Sequence, residues 1–96
     1  MQTLVGNACY CEPAFCQITN DTNFGESAMS ASMLTGKLGS EVTVSLISNP
    51  TKFIKVTVTK RGPYARGRII ELTPAAFYAL TGSMMDNVVQ VIVNIL

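Results

Sequence analysis

Val56-Thr57-Val58-Thr59-Lys60-Arg61-Gly62-Pro63-Tyr64-Ala65-Arg66-Gly67-Arg68-Ile69-Ile70-Glu71-Leu72-Thr73 is the stretch on which the fold turns. It begins as a strand. Ile54, Val56 and Val58 share one face and Lys55, Thr57 and Thr59 the other, the period-two alternation of a half-buried strand. Gly62, Pro63 and Gly67 then break the alternation, so 61–67 reads as a loop. Ile69–Leu72 resumes as a short strand. Beyond it, Thr73 and Pro74 supply an N-cap and a proline for the first helical position, Ala75 to Leu80 follow as helix, and Gly82 stands where a helix is expected to stop.

Working outward, Val42, Val44 and Leu46 form a second alternating stretch, with Thr43 and Ser45 opposite. Ser48-Asn49-Pro50 turns it into the strand carrying Ile54, which makes a hairpin. Val89, Val91, Val93 and Ile95 close the chain as a strand with one fully apolar face. Residues 12–28 are rich in Asn, Asp, Thr, Ser and Gly and read as a surface loop; Ala28 to Leu34 reads as a short helical turn before Gly36 and Gly39. No repeat or linker interrupts the 96 residues, so a single domain, 1–96, is expected. Several short strands, one mid-chain helix and no βαβ rhythm point to a mainly β fold, a small barrel.

Composition narrows the chemistry. Histidine is absent, which removes the commonest general base, the Ser-His and Cys-His catalytic pairs and every His-containing zinc site. Cys9, Cys11 and Cys16 crowd together without a CxxC spacing; buried packing, a short disulfide that leaves one odd thiol, and a reactive thiol all remain open. No cofactor or metal is expected. The net charge of +1 is too small to draw nucleic acid by bulk attraction. Six of the seven basic residues, however, lie between Lys52 and Arg68, where no acid occurs. That stretch is either a solvated basic face or an electropositive wall suited to an anionic polymer. Nucleic acid is not expected there, because only Phe53 and Tyr64 stand among the cations, too few for a stacking platform. No apolar run approaches the ~20 residues of a membrane-spanning helix.

The segment 56–73 closely resembles the V-x-V-x-D-R-G-P-[FY]-x-x-G-R-x-[IV]-D-[LV]-[ST] signature of RlpA-like double-psi β-barrels, relatives of barwin, expansins and family 45 endoglucanases. Gly6-Asn7-Ala8-Cys9-Tyr10 is similar to that family's opening G-x-A-[ST]-[YW] strand, and Ala31 to Gly39 aligns with its A-A-H-x-T-L-P-x-G stretch. The resemblance implies a six-stranded double-psi β-barrel with one or two short helices. It also implies a secreted or periplasmic location, whose signal would lie outside this sequence.

The departures from the signature bear on activity. In RlpA-type lytic transglycosylases the aspartate of D-R-G-P and the histidine of A-A-H are the expected acid–base residues; here Lys60 and Met33 occupy those positions. Glu71 alone falls on a position where expansins and the related endoglucanases carry a key acid, whereas glycoside cleavage ordinarily needs two carboxyl groups roughly 5–9.5 Å apart. The resemblance makes Tyr10, Met33, Lys60, Arg61, Tyr64 and Glu71 a candidate substrate-binding groove, with Glu71 catalytic only if the protein is active. Each has a plainer role beside that one. Lys60 is a surface cation or a partner that lowers the Glu71 pKa from the neighbouring strand. Arg61 ties loop carbonyls. Tyr10 and Tyr64 pack the barrel rim or stack on sugars, and Met33 fills the core.

Three functions follow as expectations. The first is binding of peptidoglycan or another cell-wall polysaccharide by a barrel whose lytic site has degenerated, with most or all lytic activity lost. The second is a barwin-like protein-binding module, such as a cysteine protease inhibitor, using the loops at 12–28 and 61–67 as its edge. Third comes a weakly active glycan-cleaving enzyme using Glu71 with Asp21 or Glu26.

Overall fold

The structure, a computed structural model, describes residues 2–10, 29–62, 67–82 and 88–95. Six strands occur in chain order: β1 (Gln2–Tyr10), β2 (Ser30–Ser32), β3 (Glu41–Leu46), β4 (Phe53–Lys60), β5 (Arg68–Leu72) and β6 (Val88–Ile95). Among the described residues there is one helix, α1 (Pro74–Thr81), between β5 and β6. The strands close into a barrel in the order β1-β5-β2-β4-β3-β6. The β1/β5 and β2/β4 pairs are parallel and the remaining pairs antiparallel. This is the mainly β, six-stranded barrel expected from the segment at 56–73.

Alternation fills the interior. Val42 and Val44 from β3, Ile54, Val56 and Val58 from β4, Ile70 and Leu72 from β5 and Val91, Val93 and Ile95 from β6 all point inward. Phe77 and Leu80 of α1 join them, both fully buried. The helix has the ends its sequence specifies. Thr73 accepts a hydrogen bond from the Ala76 N–H at 3.4 Å, and Gly82 adopts a left-handed φ of 73° while its N–H donates to the Tyr78 carbonyl at 2.7 Å. A side chain at Gly82 would be strained in that conformation. The turn at Ser48-Asn49-Pro50 joins β3 to β4 in an antiparallel pair, as the hairpin requires.

One expectation fails. Within Ala28–Leu34 the chain forms β2 at Ser30–Ser32 rather than a helical turn. Three small residues carry no strand periodicity of their own. What makes them a strand is their seat between β4 and β5, which bond them on both sides. Ser30, Ala31 and Ser32 are all buried there. Ala28 itself, and the expected loop at 12–28, lie outside the described residues.

Candidate functional site

Two irregularities in the ladder assemble the site. On the β2/β4 seam, Ala31 pairs with Val58 but Ser32 pairs with Lys60, so β4 spends one extra residue at Thr59. A matching shift on the β1/β5 seam pairs Asn7 with Arg68 and Ala8 with Ile70, spending the extra residue at Ile69. A bulge of this kind reverses which face the following residues occupy. Close packing accompanies the second one: a Cβ at Gly6 would sit 2.7 Å from the Ile69 side chain, so only glycine fits beneath it.

After both shifts, Cys9 pairs with Glu71, Glu71 with Ser32 and Ser32 with Lys60. Register partners share a face, so these four side chains form one row across β1, β5, β2 and β4. The row turns away from the interior, because the neighbours Ala8, Ile70, Leu72, Ala31 and Val58 all belong to the core. Two of its members are nevertheless covered, Cys9 at 4% exposed and Ser32 at 0%, while Glu71 and Lys60 are half-buried. The Ser32 hydroxyl is buried and has no hydrogen-bond partner among the described residues.

Burial sets the acid–base character of the row. It raises the Glu71 pKa, which the Arg68 guanidinium partly lowers again. The expected pairing with Lys60, which would have lowered it, is corrected by topology: β2 stands between the strands of Lys60 and Glu71, and Arg68 is the cation acting on the carboxyl. Cys9 is a free thiol. Burial pushes its pKa up, the Glu71 carboxylate adds to the rise, and Arg68 opposes it by its charge and a hydrogen bond. Burial thus disfavours the thiolate, the nucleophilic form.

The remaining site residues divide. Met33 lies in the core, 0% exposed, and offers a groove no side chain. Its backbone is clamped instead: the Met33 N–H donates to the Lys60 carbonyl at 3.0 Å, and the Arg61 guanidinium donates to the Met33 carbonyl at 3.3 Å. Arg61 thus ties a loop carbonyl to β4. The Tyr10 ring rests on Phe77, centroids 5.0 Å apart and planes tilted by 55°, which commits one side of it to packing. Tyr64, Cys11, Cys16, Asp21 and Glu26 lie outside the described residues. Ser32 and Arg68 are absent from the groove expected from sequence; the regular β2/β5 register sets Ser32 beside Glu71, and the extra residue at Ile69 turns Arg68 to the same face.

Glu71 and Glu41 are the carboxylates among the described residues. They stand on β5 and β3, opposite strands of the closed barrel, and so do not flank a common groove as a glycosidase pair does. No three His, Cys, Asp or Glu side chains among the described residues come together as a metal would require, and none of their helices is long and apolar enough to cross a membrane. A surface hollow of about 270 Å³ lies on another wall, between Thr43, Ser45, Pro50, Phe53 and Asn94.

No family model matches the chain, and no curated protein sequence matches it. In structure the chain is similar to the Streptomyces papain inhibitor (SPI), with a TM-score of 0.67 and 20% sequence identity, over 97% of this chain and 93% of that one. At that identity the likeness establishes a shared fold, the closed barrel.

Proposed function

We propose that this chain is a protein-binding barrel that inhibits a papain-like cysteine protease. The observation that carries the reading is the shared barrel, nearly end to end, with a protein named as a papain inhibitor. The site chemistry agrees with it. An inhibitor needs a stiff rim and no proton-transfer groups; here burial disfavours the Cys9 thiolate, Met33 lies in the core and Glu71 stands on the strand opposite that of Glu41. Residues 1–96 act in this reading as one barwin-like domain, outside the cytoplasm, with non-covalent occlusion of the protease cleft as mechanism. Titrating papain with the protein against a small peptide substrate tests it. Dose-dependent loss of hydrolysis is expected, and undiminished hydrolysis at micromolar protein overturns it.

One observation favours a second reading, glycan binding with residual cleavage. Burial raises the proton affinity of Glu71, and a general acid needs a raised pKa. Soluble fragments released from peptidoglycan or cellulose, and lost in Glu71→Gln, would support it; intact polymer would remove it.

A further inference from the structure

The β2–β3 connection carries two leucines for which the barrel has no use. Leu34-Thr35-Gly36-Lys37-Leu38-Gly39 follows Met33, and Leu34 and Leu38 are each 51% exposed. One exposed leucine needs no explanation. Two on a single short loop, four residues apart, are a different matter when the loop is held as firmly as this one.

Both of its ends are bonded to β4. At the start, the Met33 amide donates to Lys60 and the Met33 carbonyl accepts from Arg61. At the finish, the Gly39 N–H donates to the Val58 carbonyl at 2.7 Å, and the Val58 N–H donates to the Ser40 carbonyl at 2.9 Å. Between these points the Ser40 N–H and hydroxyl both donate to the Lys37 carbonyl. Gly36 and Gly39 take φ of +87° and +88°, a left-handed backbone that favours glycine and sharpens the turns. At Gly36 a Cβ would already touch the core side chains of Ile95 and Val58, at 3.9 and 4.0 Å, so the loop packs against the edge of the core.

We infer that this loop, through Leu34 and Leu38, is the edge that enters the protease cleft. The inference rests on the inhibitor reading and adds to it the part of the surface that makes contact. It differs from the edges suggested by sequence, 12–28 and 61–67, which lie wholly or largely outside the described residues. A protease cleft is concave, with apolar pockets for substrate side chains. A firmly held loop bearing two exposed leucines is its complement in chemistry. Because the loop is ordered by the barrel, little conformational entropy remains to be lost on binding. Apolar anchors seated in pockets carry most of the energy of such contacts.

The experiment compares inhibition of papain by the wild type, by Leu34→Ser/Leu38→Ser and by Phe53→Ser, with thermal unfolding of each. Phe53 is 57% exposed and stands five residues along β4 from Val58, about 17 Å at ~3.4 Å per residue. The double variant is expected to inhibit roughly 30-fold more weakly, the scale of a lost interface hot spot, with unchanged melting. Phe53→Ser is expected to stay within about twofold of wild type, as substitutions outside the contact do. Undiminished inhibition by the double variant overturns the loop assignment and leaves the inhibitor reading standing. A wild type that does not inhibit overturns both. If the double variant melts lower, Leu34→Gln and Leu38→Gln taken singly repeat the comparison, and equal inhibition by both again overturns the assignment. Self-association that disappears in the double variant, without protease inhibition, would give the loop to a second copy of the chain and also overturn it.

Discussion

Two rows of outward-facing side chains cross this barrel, each four strands wide, and they invert the usual partition of polar and apolar groups. Cys9, Glu71, Ser32 and Lys60 cross β1, β5, β2 and β4. Val5, Ile92, Ser45 and Phe53 cross β1, β6, β3 and β4. The first row is mostly polar, yet Cys9 and Ser32 are covered. The second is mostly apolar, yet Val5 is 63% and Phe53 57% exposed. Both walls send the same kind of aliphatic side chain into the core, so the interior does not account for the difference. Leaving Phe53 in water forgoes burial but strains nothing, since exposed apolar atoms are common on folded surfaces. Covering Ser32, whose hydroxyl has no partner among the described residues, and half-burying Glu71, with Arg68 offsetting part of the penalty, costs stability. The closed sheet fixes where the two rows run; what each presents to solvent is decided outside it.

The contrast breaks most visibly under added charge. Ser32→Asp would bury a second carboxyl in register with Glu71 and Lys60, and is expected to destabilise by about 3 kcal/mol or more. Phe53→Asp places the same charge on the open row and should change stability by less than about 1 kcal/mol. Chemical denaturation of both variants checks this, and equal losses would mean that Ser32 is accessible after all. A smaller change sharpens the point. Ser32→Ala removes a buried hydroxyl that has no partner among the described residues and is expected to match or exceed wild-type stability by about 1 kcal/mol. Loss of that amount instead would reveal a hydrogen bond to the Ser32 hydroxyl.

What could be read beforehand was whatever local chemistry dictates. Thr73, Pro74 and Gly82 specify the helix ends without help from the rest of the chain, and the valines of β3, β4 and β6 specify strands by alternation. Closure into a six-stranded barrel came from the resemblance at 56–73, since alternation alone supplies strands and not their order. β2 stayed hidden because Ser30–Ser32 is a strand only by virtue of β4 and β5. The site was hidden for a related reason. Strict alternation would put Lys60 on the same face as Val58, and the extra residue at Thr59 sends it to the face of Ser32. A bulge depends on how two distant segments fit, so neither segment announces it. Lys60 and Glu71 were therefore expected as neighbours, when a whole strand separates them.

The same separation fixes the sign of a final, smaller effect. Burial raises the Glu71 pKa above its unfolded value, with Arg68 opposing. Below the unfolded value both states hold the proton and the carboxyl is neutral to stability. As pH rises past that value the unfolded chain releases its proton first, so folding weakens until pH passes the folded pKa, and the deficit is complete above it. Glu71→Gln removes the deficit. The variant is therefore expected to melt above wild type at pH 7, with the gap closing as pH falls through the carboxylate range. Had Lys60 been the dominant partner, the folded pKa would be depressed and the variant would melt below wild type at pH 7, again converging in acid. Melting temperatures of the two proteins at pH 7 and in acid distinguish burial beneath the covered row from an ion pair across it.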